Sequence, residues 1–321
     1  MRAIILSFCL LPFFLFASTV KSYDFVVAKD GSGDFRTIQA AINAVPDFRK
    51  KETKIYIKNG IYQEKIILPG SKQHVTLIGE DKFSTILRYD DYAQKKNSFG
   101  EEKGTSGSAS FYGYGDDFTA INLAFENSSG PVGQAVAAWI AGDRSLFINC
   151  RFLGFQDTLY TYGKGTRQLY YQCYIEGTVD YIFGSATAWF EDCQLHCKDN
   201  GYITAASTPK HNEFGYIFNR CQIIGDKKTK IFYLGRPWRP HAKVIFMQCN
   251  LPAFIAAEGW HNWGKQPNET TAYFAEYKNT GPGSLSQNRV KWSHQLTDQE
   301  ADILNFQRVF NDWTPNLSLD R

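Results

Sequence analysis

The sequence predicts an all-β protein built as a solenoid, a parallel β-helix closed by short helices. Two observations predict it. A short pattern (apolar, any, polar, Cys, any, apolar) recurs as 147–152, 170–175, 190–195, 218–223 and 246–251, with a related start at 121–125. Five cysteines, Cys150, Cys173, Cys193, Cys221 and Cys249, hold the same phase of it, and the last two gaps between them are equal. Short strands and turns repeating at such a period cannot bury an apolar face alone and must stack. Equal phase then means a vertical ladder at about 4.8 Å per rung.

The elements follow in order. Met1 to Ser22 reads as a secretory signal, with Arg2 as the positive flank, an apolar run 3–16, and small residues Ala17, Ser18, Thr19 and Ser22 for cleavage. The run is too short for a membrane anchor, which needs about 20 apolar residues. Residues 23–27 read as a strand, and 35–45 as a helix with Phe35, Ile38, Ala41, Ile42 and Val45 on one stripe, stopped by Pro46. Further strands are expected at 54–58, 61–68 and 74–78, with Asn59-Gly60 as a turn, and 90–108 reads as a polar surface loop. The repeat region follows, and 293–310 is expected to supply a helix against the side or the far end. No linker interrupts 23–321, which is read as one catalytic domain.

The stacked cysteines are read as small core residues, although disulfides between rungs stay open, since export favours them. No Cys-x-x-Cys or His-x-x-x-His grouping is present, so a metal site is not expected. The net charge of +3 without a concentrated basic run argues against nucleic acid and suits a polyanionic ligand of modest affinity. No membrane span follows the leader, so an exported protein is expected (extracellular, or periplasmic if Gram-negative bacterial), acting as a monomer.

The chemistry concentrates between Gly154 and Gly184. Asp157 and Asp180 each sit in apolar company, and each follows its own coil's cysteine, Cys150 or Cys173, by the same interval. Each alone could cap a turn beside Gly154 or Gly177. Equal phase instead places the two on adjacent coils, side by side, where one carboxyl is pushed to keep its proton and the other serves as base or nucleophile. Gln134 precedes Asp157 by the same interval that separates Asp157 from Asp180, and Gln156 adjoins Asp157. Both offer neutral donors for an oxyanion. Arg236 could hold one carboxylate ionised. An amide ladder for Gln134 and a surface salt bridge for Arg236 remain alternatives. Trp238, Phe155, Tyr160, Phe183 and Trp263 would serve a sugar groove, or the core.

Seven segments then carry a resemblance to the pectin methylesterases: GIYQEKI (60–66), QAVA (134–137), GFQDTLY (154–160), GTVDYIFG (177–184), YLGRPW (233–238), GW with Trp263 (259–263) and EYKNTGPG (276–283). They run in family order over nearly the whole mature chain. The resemblance implies a right-handed parallel β-helix that cleaves galacturonate methyl esters of pectin. It implies Asp180 as nucleophile, Asp157 as acid then base, Gln134 and Gln156 as oxyanion donors, Arg236 as orienter of Asp180, and Trp238 as a groove aromatic. It implies no metal or organic cofactor.

The chain departs from the family pattern at three places. The 161–166 stretch is slightly longer than in typical plant members, AASTPK (205–210) replaces the usual glutamine-glycine-arginine run, and the 90–110 loop differs. The simple leader, with no inhibitor-like region before the catalytic part, suggests a bacterial-style enzyme. The sequons at Asn127, Asn268 and Asn316 would matter only in a eukaryotic secretory route. A polygalacturonase, a pectate lyase or a non-catalytic polysaccharide-binding solenoid are the rival readings.

Overall fold

A computed structural model describes residues 22–317. The chain winds through three parallel sheets in turn, one strand in each per coil. The first sheet has eleven strands and the other two have seven each. One coil runs Ser145–Ile148, Arg151–Leu153, Leu159–Thr161, and the next runs Arg167–Tyr171, Tyr174–Gly177, Ile182–Gly184. The fold is the expected right-handed parallel β-helix, the hand that parallel crossovers strongly favour. Among the described residues no helix is long and apolar enough to cross a membrane.

The repeat pattern marks the corner between the first and second sheets. Its first apolar position points inward, where Phe147, Tyr170, Phe190, Phe218 and Phe246 stack with ring centroids 4.9, 4.7, 4.4 and 4.3 Å apart. Each such pair contributes about 0.5–1.5 kcal/mol beyond its buried area. The polar position turns the corner in the left-handed region, with φ of 53° at Asn149 and Gln172, 50° at Asp192, 53° at Arg220 and 52° at Gln248. The cysteine then points back into the core. All six described cysteines are buried free thiols, so the ladder is one of small side chains without disulfides.

The helix Ile38–Ala44 closes the N-terminal end with Ile38, Ala41 and Ile42 buried. It is shorter than expected because Phe35 pairs with Val27 as an isolated bridge. Thr37 caps it, and the Glu64 carboxylate accepts from the Ile38 and Gln39 N–H groups at 3.0 and 3.1 Å. That bond also explains why 61–68 is not one strand. The chain turns a corner at Glu64-Lys65, leaving strands Gly60–Gln63 and Ile66–Leu68 in different sheets.

At the C-terminus the expected single helix is two, Asp298–Asp302 with a Thr297/Glu300 capping box and Phe306–Phe310 capped by Asn305. They lie against the outer face of the first sheet, where Phe306 meets Trp189 edge-on at 4.9 Å.

Residues 90–108 are not a free surface loop. The Asp91 side chain is 1% exposed and pairs with Lys65, Lys95 and Lys103 at 2.8, 3.0 and 2.7 Å. Burial pushes its carboxyl up, but the three ammonium groups more than offset this and hold it at about 2. Asn127 Nδ2 donates to the carbonyls of Asp91, Ser108 and Val136, which fastens the segment at both ends. Asn127 and Asn268 are both buried, so neither sequon is open to a glycan in the folded chain.

Candidate active site

The outer face of the third sheet carries an aromatic ladder. Tyr112, Trp139, Tyr160 and Phe183 occupy one register on successive strands, and Tyr160 and Phe183 stack at 4.2 Å. Beside it lies a cleft of about 360 Å³. Asp157, Asp180, Gln134, Gln156 and Arg236 line it together with Tyr160, Phe183, Trp238 and Trp263.

Register brings the two aspartates together. Leu159 pairs with Ile182 on the next coil, and the Asp157 N–H donates to the Val179 carbonyl at 3.1 Å. Both aspartates sit just before their strands in the left-handed region, φ 62° and 53°. Such backbone is uncommon for a residue with a Cβ, although Asp tolerates it better than most. Gly184 ends the second of these strands at φ +126°, where a Cβ would fall 1.9 Å from the Thr161 carbonyl oxygen, so only glycine fits.

The pair is electrostatically unequal. Arg236 clamps Asp180 with two bonds of 2.8 Å, Nε to Oδ1 and Nη2 to Oδ2. Its guanidinium is sandwiched at 3.9 Å from both the Tyr202 and the Trp263 rings, which fixes its plane. Burial pushes the Asp180 carboxyl up while Arg236 opposes that by hydrogen bonding and by charge. Asp157 has no hydrogen bond on its carboxyl among the described residues. Burial drives it well above the usual carboxylate range, and the Asp180 charge adds to that. Of the two, Asp157 therefore holds a proton the more strongly, and the clamped Asp180 gives one up the more readily.

Gln134 and Gln156 form an isolated parallel bridge, so Gln134 stands one rung above Gln156 and not in phase with Asp157. The register tightens by one position between this bridge and the Ala138–Leu159 pair, a slip that counting back from Asp157 cannot detect. The Gln134 Oε1 accepts from Gln94 Nε2 at 3.2 Å, and its carbonyl accepts from the Ala93 N–H at 2.9 Å. Its Nε2 is thereby left to donate into the cleft.

Phe155 is placed elsewhere. It does not line the cleft, and its ring lies beneath Lys198 Nζ at 3.6 Å, in a separate hollow with Glu176. Trp263 stacks on Arg236 as well as lining the cleft. Several site residues carried no signal of their own in the sequence: Tyr202, Gln94, and Thr105 and Ser106, which the 90–108 segment brings to the cleft wall. Only Tyr202 was within reach of spacing, since it precedes Thr204 by the same two residues that separate Asp180 from Ile182, the partner of Thr204.

An arginine-clamped carboxylate beside an unpartnered one, set on a parallel β-helix, defines this class of site as an acid–base pair. Comparison with known proteins narrows this class. The Pectinesterase family profile matches residues 24–310. The chain is 44% identical to Pectinesterase 31 of Arabidopsis thaliana over 282 residues, 86% of this chain and 88% of that protein. Among solved structures it resembles pectin methylesterase from carrot, with a TM-score of 0.82 and 32% identity over 88% of this chain and 92% of that one. It also resembles pectin methylesterase PemA from Erwinia chrysanthemi, with a TM-score of 0.81 and 29% identity over 93% of this chain and the whole of that one. Identity is higher to the Arabidopsis protein than to PemA. The chain spans 45% of two longer Arabidopsis relatives described as pectinesterase/pectinesterase inhibitor. The chain belongs to the pectinesterase family, and it is an esterase.

Proposed function

We propose that residues 23–321 act as one catalytic domain that hydrolyses galacturonate methyl esters of pectin to pectate and methanol. In this reading Asp180, held ionised and oriented by Arg236, attacks the ester carbonyl carbon. The carbonyl electron pair moves to oxygen, where the Gln134 and Gln156 amides donate to the oxyanion without neutralising the neighbouring acid. As the intermediate collapses, the carbon–methoxy bond breaks and Asp157 gives its proton to the leaving oxygen, releasing methanol. Asp157, now ionised, takes a proton from water. The hydroxide attacks the galacturonyl carbon of the acyl-enzyme, and Asp180 leaves as carboxylate with the acid product. Asp157 ends protonated, ready for the next turnover.

The observation that carries this reading is the asymmetry of the pair, a clamped Asp180 beside an unpartnered Asp157. It supports one nucleophile and one acid in a single pocket. Tyr160, Phe183 and Trp238 along the cleft support stacking of sugar rings on either side of the reacting unit.

Residues 1–22 are proposed to leave as a signal, so that a monomeric enzyme works outside the cell. All but Ser22 of that segment lies outside the described residues.

The test incubates the protein with highly methylated pectin without added calcium and follows four signals together: methanol, acid, unsaturated product and new reducing ends. Methanol and acid in step, with neither chain-cleavage signal, is the expected result. Chain cleavage without methanol would mean a hydrolase or lyase instead.

A further inference from the structure

The clamp on Asp180 leans on a ring that does not line the cleft. Trp263, one face of the sandwich around Arg236, has a φ of 64°, in the left-handed region. A bulky side chain rarely adopts that backbone, which persists only where surrounding bonds over-determine it. Three bonds do so here. The Trp263 N–H donates to His261 Nδ1 at 3.0 Å, and the Gly264 N–H donates to Asn262 Oδ1 at 2.8 Å. The His261 N–H donates to the Gly235 carbonyl at 3.1 Å, which ties the turn to the residue before Arg236.

The His261 ring also reaches the other face of the sandwich. Its centroid lies 5.7 Å from both the Tyr202 and the Tyr233 rings, edge-on to each. Those two rings stack on each other at 5.2 Å across paired strands. One imidazole therefore braces both faces of the guanidinium, Tyr202 through its side chain and Trp263 through its backbone. It is half-buried and outside the cleft lining, so it acts on the reaction only through these neighbours.

The bond from Trp263 needs a bare Nδ1, which only the neutral ring with its proton on Nε2 provides. Burial, and then the Arg236 charge, hold the imidazole below its ordinary pKa and keep it in that form. Among the described residues the charged and titratable groups facing it are Arg236, Tyr202 and Tyr233, with the Glu258 charge felt at Tyr233. No carboxylate among them pairs with the ring to stabilise an imidazolium.

We propose that His261 is a positioning residue of the esterase, whose neutral imidazole holds Trp263 and Tyr202 against Arg236 and so keeps the clamp on Asp180 in plane. The inference rests on the pectin esterase reading above. A proton on Nδ1 turns the acceptor into a donor facing the Trp263 N–H and adds a second cation beside Arg236. The strained turn then loses its bond, the Trp263 ring moves off the guanidinium, and Asp180 loses its orientation. Acid thus misaligns the nucleophile by a route separate from protonation of Asp180 itself.

The test follows kcat and KM for methanol release from highly methylated pectin across the imidazole range, about pH 4 to 8. It compares the wild type with His261→Leu, which removes the acceptor, and His261→Asn, whose Oδ1 accepts the same bond without titrating. At the alkaline end the leucine variant should be roughly fivefold slower, the scale of one lost hydrogen bond. The loss should fall on kcat, and asparagine should restore most of it. As pH falls below about 6.5, the wild type should lose activity more steeply than His261→Asn. Near-ultraviolet circular dichroism reads the Trp263–Tyr202 packing without turnover, and on acidification it should change in the wild type and not in His261→Asn.

Wild-type kcat in His261→Leu would overturn the positioning role. Should that variant fail to fold, an acid limb of His261→Asn that coincides with the wild type's would overturn it instead. No methanol from the wild type, with the dichroism difference intact, would overturn the esterase reading and keep the brace.

Discussion

Asparagine at position 157 separates chemistry from stability. Asp157 is 8% exposed, has no hydrogen-bond partner on its carboxyl among the described residues, and lies beside the charge of Asp180. Burial and that charge raise its folded pKa above the value of about 3.9 expected in the unfolded chain. Between those two values the folded protein binds more protons than the unfolded chain, so stability falls as pH rises through the window.

Asp157→Asn keeps the shape and removes the titration. At pH 8 the variant should be more stable by about 1–3 kcal/mol, because an unpartnered anion beside Asp180 costs more to bury than a neutral amide, and should melt about 2–6 °C higher. At pH 3, where the wild-type carboxyl is mostly protonated in both states, the gain should vanish. Turnover should fall by about 10²–10⁴, since nothing protonates the departing methanol. Thermal melts followed by circular dichroism at pH 3, 6 and 8, paired with methanol release, read both effects. A stability gain independent of pH, or retained turnover, would refute the reasoning.

Other perturbations act on the supports of the site. Arg236→Lys exchanges a planar two-point clamp for a point charge that cannot stack between Tyr202 and Trp263. Losing one charge-assisted bond of about 1.5–3 kcal/mol should lower kcat/KM by about 10- to 100-fold. Because burial then pushes the Asp180 carboxyl up with less opposition, the acid limb of the pH profile should move to higher pH, and an unmoved limb would count against the clamp. Asp91→Asn leaves three lysines without their shared carboxylate and should cost about 2–4 kcal/mol at pH 7. Since Asp91 titrates at about 2 in the fold, its contribution is present above about pH 4 and lost as pH falls towards 2. The gap in chemical-denaturation stability between wild type and variant should therefore close on acidification.

The sequence by itself determined the coil and the pairing of the two aspartates. In a solenoid the backbone ladder turns sequence separation into rung number. Asp157 and Asp180 are as far apart in sequence as Cys150 and Cys173, so they had to become neighbours. The phase of the cysteines was legible for the same reason, because a corner residue recurs wherever the corner does. Their redox state was not, since phase says nothing of how two side chains are directed.

Only the tertiary structure decided what depends on turns of unequal length. The slip that pairs Gln134 with Gln156, the path that lays 90–108 over Gln134, and the corner that splits 61–68 at Glu64 all arise where connections leave the ladder. The side to which Phe155 turns is of the same kind. So is the clamp on Asp180, since Arg236 comes from a coil well beyond it and its guanidinium is oriented by rings from two further segments. Such contacts are made by side chains reaching across coils, and no periodicity along the chain encodes them.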